Sequence, residues 1–238
     1  TIVSAYSFDN RHILNSYDVE EFDVYVLSNG IFASANENRD DACSIVRHVP
    51  LGSVNLGKIT ALNQLARDIC SHKVSLIDSW DLLQQCKNIP DYPKYIQVLC
   101  CGLGSGCFCY MFGGGIIDSI CAFMIGLLEQ QFLFLLKKNK FSRIITNMFA
   151  SLFAAILAYL CSTIGNHIMD FGLLRDKIII GAIMPLVPGI AFTTSIRDIY
   201  NGDYLSGTIH LLDAVITAAC IAVGACLPLI VIRYFGGL

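Results

Sequence analysis

The sequence predicts an α-helical membrane protein with a small cytoplasmic α+β N-terminal domain followed by a bundle of about five transmembrane helices. Three observations predict it. The 238 residues are 55% hydrophobic and 15% charged, against about 25% charged in an ordinary soluble domain, and the mean hydropathy is +0.59. The charge is also unevenly spread: residues 1–95 hold 8 Lys/Arg and 12 Asp/Glu, whereas the longer stretch 96–238 holds 8 and 7. Finally, that second stretch contains five apolar segments near the roughly 20 residues a helix needs to cross about 30 Å of hydrocarbon.

The first 94 residues read as the α+β domain. Thr1 to Tyr17 mixes Asp9, Arg11 and His12 into its apolar residues and has no signal-peptide core. The chain opens without Met, which leaves room for sequence upstream. Phe22 to Leu27 alternates and is β-prone, Ser28-Asn29-Gly30 is a turn signal, and Ile31 to Ala35 returns as a second strand. Ser44 to Val49 predicts a third strand before Pro50. Gly57 to His72 places Ile59, Leu62, Leu65, Ala66 and Ile69 at helical spacing. A second helix follows Ser75 as N-cap, with Leu76, Trp80 and Leu83 on one side.

The stretch Ile89 to Pro93, with two prolines and a tyrosine, marks the boundary. The membrane domain, 95–238, then holds spans at about 95–113, 116–136, 142–164, 178–196 and 207–232. Gly102 and Gly106 in the first form a G-x-x-x-G pair that admits close helix contact. Eight of the eleven cysteines lie in this half, where Cys acts as a small hydrophobe. Cys107 and Cys109 have no His at ligand spacing, so no metal is expected, and the cysteines read as reduced, packed thiols. Cations in short loops set the orientation. With the loop from Lys137 to Arg143 inside, the inner side carries Lys94, Lys137, Lys138, Lys140, Arg143 and Arg197. Arg175, Lys177 and Arg233 fall outside. The N-terminus is then cytoplasmic and the C-terminus external.

Soluble-enzyme signatures are missing. Gly102 to Gly106 lacks both the G-x-G-x-x-G spacing and a following Lys-Ser/Thr. Asp78 and Asp81 read as a solvated helix face, and His12, His48 and His72 are isolated. No catalytic residue and no cofactor is assigned. No Lys/Arg-dense run beyond Lys137 to Arg143 offers a nucleic-acid footprint either.

The informative residues are polar ones inside spans, because a carboxylate in hydrocarbon is costly and usually faces a bundle interior or an aqueous cavity. Glu129 is the deepest, roughly 4–5 Å from the centre of its span at 1.5 Å per residue. Asp118 lies on the same stripe near the outer end. Asp213 and His210 share a face of the last span, with Thr217 one turn further in. The alternative for these carboxylates is interfacial placement or pairing between helices. Pro185, Pro188 and Gly189 fall mid-span, where two prolines remove helix donors and break or kink the helix. Freed carbonyls and a new half-helix N-terminus there can bind an ion or an anionic group, with Thr193 and Thr194 one turn beyond; a kink that only shapes packing is the alternative.

The run from Met184 to Gly207 contains Leu186-Val187-Pro188-Gly189, then Ile196-Arg197-Asp198, then Gly202-Asp203 and Ser206-Gly207. It resembles the signature of the threonine/serine exporter family. Asn55 to Lys58, Phe112-Gly113-Gly114 with Asp118, and Phe22 to Val26 with Gly30 to Phe32 are similar to other points of that family's N-terminal module. The resemblance implies a cytoplasmic domain followed by five spans. It also implies a second membrane module, fused or supplied by a separate small membrane protein, with some split pairs associated with dicarboxylate export. This chain resembles the split form. Family proteins usually open with a helix bearing a Gly-Ala-Glu-Thr-x-Arg-x-Glu-like pattern, and nothing before Phe22 matches it.

The expectation is therefore a subunit of a plasma-membrane secondary exporter of small polar metabolites, amino acids such as threonine and serine first and dicarboxylates second. Proton coupling is the default in the absence of a nucleotide motif, with Glu129 and Asp213 as titratable groups. Its partners would be a second small membrane subunit, the substrate, the bilayer and, as an open alternative, further copies of itself. The rival readings are a non-transporting assembly or sensing subunit and, more weakly, a membrane-embedded hydrolase based on His210.

Overall fold

The computed structural model describes residues 22–27, 30–35, 43–48, 55–139, 141–168 and 172–235. They divide into two compact units, one made of the residues up to Asp91 with Thr193–Leu211, the other of Tyr92–Phe192 with Leu212 onward.

In the first unit β1 (Phe22–Leu27), β2 (Gly30–Ala35) and β3 (Cys43–His48) form an antiparallel meander in the order β1-β2-β3. Leu27 pairs with Gly30, the spacing of a two-residue turn; Ser28 and Asn29 themselves, like Val49, Pro50 and everything before Phe22, lie outside the described residues. Tyr25 pairs with Phe32 and Phe32 with Val46, giving an exposed cross-strand row with the first two ring centroids 6.5 Å apart. α1 (Leu56–Cys70) starts where Asn55 Oδ1 accepts from Lys58 N at 3.1 Å, and buries Leu65 and Ile69. It stops short of the expected His72, which takes φ +53° beyond the cap. α2 (Leu76–Lys87) is capped by Ser75, whose Oγ accepts from Asp78 N at 3.2 Å.

The second unit holds α3 (Lys94–Met111), α4 (Ile116–Lys138), α5 (Arg143–Ile168) and α6 (Arg175–Ile183), with a 3-10 turn at Met184–Leu186. α7 (Gly189–Tyr200) and α8 (Tyr204–Phe235) continue the chain. With little hydrophobic drive between helices in lipid, packing relies on close backbone approach at small residues, and the sequence supplies them. A Cβ on Gly102 would stand 2.7 Å from Leu127 Cδ2, and one on Gly106 would stand 3.0 Å from Ser119 O. The expected G-x-x-x-G groove thus receives α4, antiparallel to α3. α5 turns Ala150, Ala154, Ala155 and Ala158 inward, all fully buried. The core gathers Cys109, Ala122, Ile125, Ala154, Ala158, Ile178, Ile179 and Ala182 from α3 to α6. Leu128, Leu135, Leu160, Val223 and Ile230 are exposed, the inverted surface a bilayer accepts. The thiols are less uniformly packed than expected: Cys109 is buried, but Cys100, Cys107 and Cys226 are exposed.

Five spans were expected. Among the described residues, α4, α5 and α8 are long and apolar enough to cross a membrane, and α6 with α7 makes a fourth candidate bent by 59°. α3, the first expected span, is an 18-residue helix whose Lys94, Gln97 and three glycines dilute its hydropathy. It nevertheless packs along α4 and α6.

Candidate functional site

Three helices meet at Ser105. It sits in α3 with no exposed surface, its Oγ donating to Cys101 O at 3.0 Å. A Cβ on Gly126 of α4 would stand 2.8 Å from Ser105 Cβ, and one on Gly181 of α6 would stand 2.8 Å from Ser105 O. Glycine at both positions is what allows α4 and α6 to close on this side chain.

Glu129 lies one turn beyond Gly126 and Pro185 one turn beyond Gly181. Because α4 runs antiparallel to α3, the turn beyond Gly126 heads toward the end of the bundle that carries Lys94, whose Nζ stands 5.8 Å from the Phe134 ring centroid. Pro185 also packs on α3: a Cβ on Gly104 would meet its Cγ at 3.9 Å. The buried carboxylate and the helix break, predicted from separate segments, are tied to the same node.

Glu129 is fully buried, and among the described residues neither carboxylate oxygen has a hydrogen-bond partner. Burying a charge without a partner is strongly unfavourable.

The break has the expected form. Pro185 and Pro188 withhold the N–H groups that Gly181 and Met184 carbonyls would accept in a continuous helix. Val187 takes extended backbone at φ −63°, ψ 128°. Val187 N donates to Met184 O at 3.1 Å and Gly189 N to Val187 O at 2.8 Å. The Gly189 amide is therefore engaged within the break. Pro185 and Gly189 are exposed, and Pro188 is half-buried.

The other expected site residues divide. Asp118, buried, accepts from Gly115 N at 2.8 Å and from Leu174 N at 3.0 Å, so both oxygens serve backbone donors at the starts of α4 and α6. Asn166 exchanges bonds with Leu173 beside it, and Arg175 stacks 4.4 Å from the Tyr159 ring centroid while its Nε donates to Ser162 Oγ at 3.2 Å. This end of the bundle is locked by polar contacts. Asp213 pairs with Arg143 across α8 and α5. Thr193, exposed, and His210, half-buried, belong to the first unit.

That unit also explains the second half of the signature. Gly202 takes φ +86° to turn the chain, Asp203 Oδ1 accepts from Ser206 N at 3.2 Å to cap α8, and a Cβ on Gly207 would stand 2.9 Å from Ile199 N. Gly-Asp and Ser-Gly thus build the α7–α8 hairpin. Asp198 and Ser206, quoted in the sequence only as parts of the signature, prove to be buried polar residues, as does Ser105. Small-residue spacing pointed to Ser105, whereas the signature marked the other two without indicating that they would be buried.

The ThrE threonine/serine exporter family model matches residues 10–231, taking in residues of both units. No curated protein and no solved structure matches the chain. A match of that extent, on a bundle with several membrane-length helices, settles the kinship: the chain belongs to the threonine/serine exporter family, a family of membrane transporters.

Proposed function

We propose that the chain is one subunit of a proton-coupled secondary exporter in the plasma membrane, with Glu129 as the group that carries the coupled proton. The observation that carries this reading is the placement of Glu129. It is a fully buried carboxylate without a hydrogen-bond partner among the described residues, one turn from a three-helix glycine node that the helix broken by Pro185 and Pro188 also joins. Intramembrane carboxylates and broken helices at matching depth are how secondary transporters build ion and substrate sites. The substrate is a small polar metabolite, a threonine- or serine-type amino acid or a dicarboxylate.

In this reading residues 1–94 form a cytoplasmic domain and 95–238 cross the membrane five times, α3 serving as the first span despite its glycines. The basic loop before Arg143 faces the cytoplasm, and the polar lock of Asp118, Asn166 and Arg175 faces outward. A single bundle of this size needs a second small membrane subunit to complete the pathway. The test is expression with and without a candidate second subunit, followed by measurement of extracellular threonine, serine and dicarboxylates. Export that requires both chains supports the reading. Robust flux from this chain alone in liposomes rejects the subunit assignment.

A further inference from the structure

α5 and α8 meet along a seam that neither Glu129 nor the helix break uses. Its α8 side is one stripe, with Asp213, Thr217 and Gly224 at i, i+4 and i+11. Both ends of the stripe are fixed on α5. Asp213 pairs with Arg143, and Gly224 lies against Met148, whose backbone C would stand 3.1 Å from an added Cβ. Thr217, between them, is 3% exposed, and its Oγ1 has no hydrogen-bond partner among the described residues. The hydroxyls on the α5 side are satisfied: Thr146 donates to Ser142 O at 2.9 Å and Ser151 to Met148 O at 3.0 Å. The mouth of the seam thus presents one cation and one anion, with an unpartnered buried hydroxyl one turn deeper.

The Arg143 side chain is 58% exposed and that of Asp213 32%. An ion pair this open to its surroundings holds its helices weakly and can exchange partners. A zwitterion offers both replacements at once: its carboxylate answers the guanidinium, its ammonium answers the Asp213 carboxylate, and no charge is left unpaired. A dianion satisfies Arg143 but sets a second carboxylate beside Asp213, the like-charge contact by which sites reject wrong ligands. The span from Asp213 to Thr217, about one helical turn or 5–6 Å, matches the reach of a short polar side chain.

We propose that Arg143 and Asp213 form the specificity filter of the transporter, admitting zwitterionic α-amino acids and excluding dicarboxylates, with Thr217 receiving the amino acid's side chain. This rests on the exporter reading above, whose orientation puts the pair at the cytoplasmic mouth, and it chooses between that reading's two substrate classes.

The test is equilibrium binding to the full chain in lipid nanodiscs, which requires no flux, coupling or second subunit. Four probes are used: threonine, succinate, N-acetylthreonine, which lacks the ammonium, and threonine methyl ester, which lacks the carboxylate. Wild type binds threonine and none of the other three. Asp213→Asn binds threonine about tenfold more weakly, the scale of one lost charge-assisted contact, and gains N-acetylthreonine. Arg143→Gln loses threonine to a similar degree and gains the methyl ester. The exchanged pair, Arg143→Asp with Asp213→Arg, keeps the ion pair and restores the preference for threonine. Succinate binding wild type as well as threonine, absence of threonine binding, or variants that change stability without changing which probe binds would each overturn the filter. Those failures leave the coupling role of Glu129 standing, and a failure of coupling at Glu129 leaves binding preferences at the seam untouched.

Discussion

The Asp118 carboxylate accepts the backbone N–H of Leu174 at 3.0 Å, joining the first turn of α4 to the first turn of α6 across 56 residues of sequence. Its second oxygen accepts from Gly115 N at 2.8 Å. A buried carboxylate whose two oxygens each accept from a backbone donor ties the two helix starts together.

Asp118→Ala strands two backbone donors. At about 1–3 kcal/mol for each unsatisfied buried group, it should cost about 2–6 kcal/mol. Thermal unfolding of the purified protein checks this, with Asp118→Asn retaining part of the loss because one acceptor survives. The pH dependence of export per folded molecule should not move. A shifted pH profile with unchanged stability would make Asp118 a pathway residue.

The glycine contacts give a graded steric series. Gly126→Ala drives a methyl to within 2.8 Å of Ser105 Cβ and 3.1 Å of Gly102 Cα, and Gly224→Ala drives one into the Met148 carbonyl. Overpacking of this kind costs about 1–3 kcal/mol. Gly104→Ala meets only Pro185 Cγ at 3.9 Å, ordinary contact, and should stay within about 0.5 kcal/mol of wild type. Melting temperatures of the three variants check the order.

Membrane orientation is testable without substitution. Lys137, Lys138 and Arg143 flank the short connection between α4 and α5 and are trypsin sites. Trypsin should separate α4 from α5 in inside-out vesicles and leave right-side-out vesicles uncut there. Cleavage from the external face alone would invert the assignment.

Much of this architecture was legible because its determinants are local. Alternation set β1 and β2, Ser75 set the start of α2, and the two prolines set the break between α6 and α7. Glu129 stood out because an acid inside an apolar run has few reasons to be there. Position along a helix axis was legible too, since each helical residue adds about 1.5 Å. What could not be read was which faces meet. That Gly126 and Gly181 converge on Ser105 depends on the rotation of three helices about their axes, and a pattern of small residues on each leaves that rotation open. The same gap hid the contacts of Asp118: a carboxylate near a helix start caps that helix readily, but its second donor, the Leu174 N–H, is reached only after the chain has crossed α5 and returned. The pairing of Asp213 with Arg143 is likewise a contact between helices whose neighbour relation no local rule encodes. α3 was hard to classify for a physical reason, since the glycines that let α4 and α6 approach also lower its hydropathy.

If Glu129 carries the coupled proton, export by Glu129→Gln as a function of the imposed pH gradient, with substrate exchange measured in parallel, must show it. Gln preserves the shape and hydrogen-bonding capacity of Glu but cannot titrate. The account predicts expression and assembly near wild type, substrate exchange retained, and net export that no longer responds to the pH gradient. Gradient-driven export at the wild-type rate across pH would contradict it, and would make Glu129 a buried pairing residue of the bundle.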